Sequence, residues 1–205
     1  MSVSPRAFHG IFQGRLQKLD GIGRRLEVLH NALRISRSDL ERIYAGLFID
    51  AVTTFEGFLE SLFVGILTGR VNFPKSRVNP RIRLKTSTDA MAIICGERKY
   101  VDWLPFHETA RRAEAYLTGG RPFSLLSQAD QDKLAVILHI RNAIAHSSDY
   151  ALKVFQKNIA SKHVLLPRER YPAAFLRTWI GAPGGATRFS NYLSDLVQVG
   201  HALCG

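Results

Sequence analysis

The sequence predicts an all-α protein, and three observations predict it. Apolar residues recur at intervals of three and four over most of the chain. Ser and Asp residues of the kind that cap helices stand at the start of these stretches, and Gly or Pro interrupts them. No internal repeat, low-complexity tract or inter-domain linker divides the sequence. The expected architecture is one domain over residues 1–205, a bundle of four to six helices around a long central helix at about residues 38–69.

The first element is a helix from Pro5 to about Ile35, with Phe8, Ile11, Phe12, Leu16, Leu19, Leu26, Leu29 and Leu33 as its apolar positions. Gly21 and Gly23 predict a break or kink at its middle. Ser38 and Asp39 open the longest element. Leu40, Ile43, Tyr44, Leu47, Ala51, Phe55, Phe58, Leu62 and Ile66 hold a regular spacing along it, and Gly69 ends it. Asp50, Glu56 and Glu60 interrupt its apolar run, so it is not a membrane span.

Arg70 to Lys85 is of a different kind. It holds Arg70, Lys75, Arg77, Arg81, Arg83 and Lys85, no acid, two prolines and Phe73. The prolines predict a non-helical basic loop at about 70–86. Cations with an aromatic among them suit phosphate contact and base stacking, as in RNA binding; the bland alternative is a solvated loop. A short helix is expected at Thr88–Cys95 and a longer one at Trp103–Leu117.

Leu134 to His146, LAVILHIRNAIAH, is the stretch that carries chemistry. Ser127 and Asp130 form an S-x-x-D start signal upstream. Leu134, Ile137, Leu138, Ile144 and Ala145 predict a buried face. At about 100° per residue, His139, Asn142 and His146 share another face, and Arg141 projects toward the apolar side. A guanidinium there needs an anion, from a neighbouring carboxylate or from a substrate. After it come a helix at Tyr150–Ile159 capped by Ser148 or Asp149, a short apolar segment Ser161–Pro167, and an ambiguous stretch Arg168–Ile180 containing Pro172. A turn at Gly181–Gly185 and an amphipathic helix at Thr187–Leu203 complete the chain. The turn lacks a GK[ST] sequence, which argues against a phosphate-binding loop of that type.

A net charge of +11 points to a polyanionic partner, nucleic acid before membrane. Cys95 and Cys204 form no disulfide framework, and the seven histidines show no metal-ligand spacing. The N-terminal residues lack a signal-peptide core, so the expected location is the cytoplasm. No short helix-turn-helix with a basic recognition helix is evident, which argues against a DNA-binding regulator.

Arg141-Asn142-Ala143-Ile144-Ala145-His146 resembles the R-x4-6-H motif of HEPN domains, including the polar residue after the Arg. The apolar helix before it and the helical segments around it resemble the RiboL-PSP-HEPN branch. Arg25 to His30 has the same spacing but lacks the Asn and lies in a plain amphipathic segment. The resemblance implies a HEPN-like bundle and a metal-independent endoribonuclease without cofactor. Arg141 would hold the scissile phosphate and His146 would move protons. Asn142 would orient His146 or donate to the phosphate, and Glu56 would be an acidic partner on the facing helix. It also implies RNA as substrate, a homodimer lining one groove with two motifs, and an antitoxin or regulatory protein as a possible partner. The alternative is a non-catalytic RNA-binding or protein-interaction module of the same fold.

Overall fold

The computed structural model describes residues 2–74, 78–146, 148–181 and 185–205. Among them there are eight α-helices and no strand, only isolated bridges. The protein is therefore all-α. The count exceeds the expected four to six, and one short helix forms in the Pro172 stretch that the sequence left ambiguous.

The chain divides into two compact units: Met1–Gln13, Phe55–Leu134 and Val197–Gly205 form the first, Gly14–Thr54 and Ala135–Leu196 the second. Helices α1 (Pro5–Asn31), α2 (Arg37–Leu67), α5 (Gln128–Ala145) and α8 (Arg188–Cys204) contribute residues to both. The short helices α3 (Ser87–Cys95) and α4 (Phe106–Tyr116) belong to the first unit, α6 (Asp149–Asn158) and α7 (Pro172–Arg177) to the second.

Local chemistry explains most helix ends. Ser36 caps α2: its Oγ accepts from the Asp39 N–H at 3.1 Å and donates to the Asp39 carboxylate at 2.6 Å. The start thus lies two residues before the expected Ser38. Ser127 and Asp130 repeat this arrangement at α5, with distances of 3.2 and 2.7 Å. Ser148 caps α6 through the Ala151 N–H at 3.2 Å, as expected. Helix α4 begins at Phe106, later than predicted, with Pro105 in an extended conformation as the residue that precedes it. Pro172 occupies the first turn of α7, where its missing N–H costs nothing.

Helix α1 runs through Gly21 and Gly23 without the predicted break. Packing in the second unit supplies the reason. A Cβ on Gly23 would lie 3.4 Å from both the Phe189 ring and the Tyr44 hydroxyl, and Tyr44 donates to the Gly23 carbonyl at 3.4 Å. The glycine admits two aromatic rings against the helix backbone, and their burial offsets its low helix propensity.

The core of the first unit is aromatic. Phe12 stacks on Phe58 with ring centroids 4.5 Å apart, and Phe63 meets Trp103 and Phe123 at 5.5 and 5.4 Å. The Trp103 indole N–H donates to Glu60 at 3.0 Å, so this carboxylate has a structural partner. In the second unit, Tyr44 packs edge-on to Phe189 and Phe155 edge-on to Phe175. No helix among the described residues is long and apolar enough to cross a membrane.

Candidate functional site

Helix α5 delivers the motif. Leu134, Ile137, Ile140 and Ala143 are its buried residues. This stripe is rotated from the predicted one: Leu138 and Ile144 are half-buried and Ala145 is exposed. The periodicity was compatible with several adjacent stripes, and packing selected the one through Ile140.

Arg141 and Asn142 are half-buried, while His146 is exposed and stands one residue beyond the end of α5. Asn142 links the other two. Its side-chain Oδ1 accepts from Arg141 Nη1 at 3.1 Å, and its backbone carbonyl accepts the His146 N–H at 3.0 Å. The amide oxygen is thus turned to the Arg, which leaves the Asn142 amide N–H groups as donors. Among the described residues no carboxylate forms an ion pair with Arg141. Five residue steps lead from Arg141 to His146, a helical rise of about 7.5 Å.

Glu56 is half-buried on α2 and belongs to the first unit, whereas Arg141, Asn142 and His146 belong to the second. Its role as an acidic partner rests on the resemblance alone. His139 is half-buried on α5.

The described residues of the basic segment form no helix, and they too lie in the first unit. Lys75 and Arg77 lie outside the described residues. Arg70, Arg81, Arg83 and Lys85 are exposed. Their backbone is tethered: the Arg70 carbonyl accepts from the Val3 N–H at 2.7 Å, and the Arg81 N–H donates to the Tyr116 carbonyl at 2.8 Å. Leu84 is held in the same way by Leu67 at 3.0 Å. Arg83 lines a cleft together with the half-buried Phe73.

A second cluster in the same unit as the motif has no signature in the sequence. A cleft of about 330 Å³ is lined by residues that include Glu27, His30, Glu169, Arg177, Trp179 and Arg188. Arg177 makes two bonds to Glu27, at 2.9 and 3.0 Å, and lies 3.8 Å from Glu41. Burial alone would lower its pKa, but Glu27 and Glu41 outweigh it and the net shift is upward. The Tyr44 phenol, buried beside the Glu27 carboxylate, is pushed well above its ordinary range. The cluster draws on α1, α7, α8 and the loops between, so no spacing rule could have assembled it.

Among the described residues no group of three or more His, Cys, Asp and Glu is placed to hold a metal ion. No protein-family model, curated protein or solved structure matches this chain.

Proposed function

We propose that the Arg141–His146 segment is the centre of a metal-independent endoribonuclease of the HEPN type, acting on single-stranded RNA. One observation carries the reading: a half-buried guanidinium without a carboxylate partner among the described residues, held by the adjacent Asn142 amide at the end of a helix that leads into an exposed imidazole. Such a cation needs an anion, and an RNA phosphate is the anion that a chain of net charge +11 meets most readily.

The chemistry follows from RNA itself. The 2′-oxygen attacks the adjacent phosphorus as its proton passes to a base. The bond from phosphorus to the 5′-oxygen breaks, and that oxygen takes a proton from an acid. A 2′,3′-cyclic phosphate and a 5′-hydroxyl result. Imidazole suits either proton transfer near neutrality. Arg141 offsets the charge that develops on the phosphoryl oxygens, and the free Asn142 amide N–H groups add a second donor. One histidine serves poorly as both base and acid, so a second copy of the chain would supply another His146. Arg70, Arg81, Arg83 and Lys85, in the first unit, would give that unit its own affinity for RNA phosphates.

The test is incubation of the protein and its His146→Ala variant with single-stranded RNA in EDTA, beside a 2′-deoxy strand of the same sequence. Cleavage of RNA alone, absent in the variant, is the expected result. Cleavage by the variant would overturn the mechanism. Tight RNA binding without cleavage by either protein would leave the non-catalytic RNA-binding module as the function.

A further inference from the structure

Among the cations around the second unit's cleft, Arg188 is unlike its neighbours. Arg177 is committed to Glu27 and Arg37 to Glu41, the latter at 2.6 Å. Arg188 donates through Nε to the Thr178 hydroxyl at 2.8 Å, and its guanidinium lies 4.7 Å from the centroid of the Phe175 ring. The Thr178 hydroxyl in turn donates to the Phe175 carbonyl at 2.7 Å. The fork is thus fixed at one nitrogen and on one face, while its two Nη groups have no carboxylate partner among the described residues. Burial lowers the pKa of this guanidinium, and no carboxylate opposes that shift. A rigid, part-buried fork with open donors suits a phosphate monoester, which accepts two parallel N–H bonds.

Trp179 lines the same cleft as Arg188. Trp179 and Thr187 form an antiparallel bridge, flanked by bonds from Arg188 N–H to the Thr178 carbonyl at 2.9 Å and from Ile180 N–H to the Ala186 carbonyl at 2.8 Å. The backbone that carries each of these two lining residues, Trp179 and Arg188, is thereby fixed. The indole is 40% exposed, a large aromatic surface that packing inside the unit does not use. His30, also in the lining, donates from Nδ1 to the Ile35 carbonyl at 3.0 Å, which assigns the proton to Nδ1 and leaves Nε2 as the ring's other polar atom. The cleft's volume of about 330 Å³ lies at the small end of ligand sites, which run from about 300 to 1,000 Å³. It has room for one nucleotide and not for a folded polymer.

We infer that this cleft binds a terminal phosphorylated nucleotide, with its phosphate on Arg188 and its base against Trp179, supplied either as a free mononucleotide or as the 5′ end of a strand. This site shares no residue with the Arg141–His146 segment and does not depend on the ribonuclease reading.

The chain has two tryptophans, and Trp103 is buried and bonded to Glu60, so fluorescence quenching reports on Trp179. Titration of the intact protein with adenosine monophosphate should give saturable quenching, with adenosine at least tenfold weaker. Inorganic phosphate should displace the nucleotide, an arm that needs no variant. Arg188→Gln should abolish the preference for the monophosphate, and Trp179→Phe should abolish the quenching while the helical circular dichroism stays unchanged. Binding should persist in His146→Ala, which separates it from RNA cleavage. A 5′-phosphorylated deoxytetranucleotide that binds as well as the mononucleotide, while its 5′-hydroxyl form does not, identifies a strand end as the source. Binding of the mononucleotide alone identifies the free nucleotide. Equal affinity for adenosine and its monophosphate, no binding of either, or unchanged preference in a folded Arg188→Gln protein would overturn the inference.

Discussion

Arg177 and Glu27 stand 150 residues apart in the chain and meet through two bonds of 2.9 and 3.0 Å, with both side chains about 15% exposed. The pair ties α7 to α1 within the second unit. Removing one member strands the other charge in a poorly solvated place. Arg177→Ala or Glu27→Ala should each cost about 2–4 kcal/mol, somewhat below the loss for a fully buried pair. Arg177→Met combined with Glu27→Leu should cost less than either single change. Urea denaturation of the four proteins measures this coupling, and additive losses would refute it.

Glycines within the helices separate by what surrounds them. A Cβ at Gly46 or Gly57 of α2 would meet nothing within 4 Å. Alanine there should stabilise by about 0.5–1 kcal/mol through helix propensity. At Gly65 the same atom would lie 2.6 Å from a methyl of Val71, and at Gly200 it would lie 2.9 Å from the Phe12 ring. Overpacking costs about 1–3 kcal/mol, so Gly65→Ala and Gly200→Ala should destabilise despite the better helix former. Thermal midpoints that move in the same direction for all four variants would contradict this reading.

The two cysteines should differ in reactivity. Burial pushes the Cys204 thiol up to about 12, whereas Cys95 is half-buried near the end of α3. At pH 8 only about 10⁻⁴ of Cys204 would be thiolate, the reactive form. A disulfide reagent should therefore titrate one thiol in the native protein and two after denaturation. Cys95→Ser should erase the native signal. Two thiols reacting at similar rates in the folded protein would be the contrary result.

His163 links stability to pH. Its ring lies 5.5 Å from Phe175 though the residue is exposed, and its pKa is lowered from 6.5 by partial desolvation, by Arg188 and by Lys162. The unfolded chain therefore takes up this proton first as the pH falls. The contribution is intact above about pH 6.5 and is lost on acidification through the lower folded value. His163→Gln should flatten the decline in stability between pH 7 and 5 relative to the parent. An equal or steeper slope in the variant would show that His163 does not contribute.

The sequence by itself determined the all-α class, the approximate extents of the long helices, the start of α5 at Ser127 and that of α6 to within Ser148 or Asp149. Helical periodicity and capping act over four or five residues, so both are written locally. The Arg141–His146 spacing was legible for the same reason: it lies within one helix end. Tertiary structure decided what depends on residues distant in sequence. Tyr44 and Phe189 kept α1 continuous through Gly21 and Gly23, against their local tendency. Packing chose the stripe of α5 through Ile140 and Ala143 over the one through Ala145, since neighbouring stripes of one helix are almost equally apolar. Most of all, the cleft around Arg188 joins residues from Glu27 to Arg188. Only the folded chain shows that two of its arginines are spent on carboxylates and the third is not.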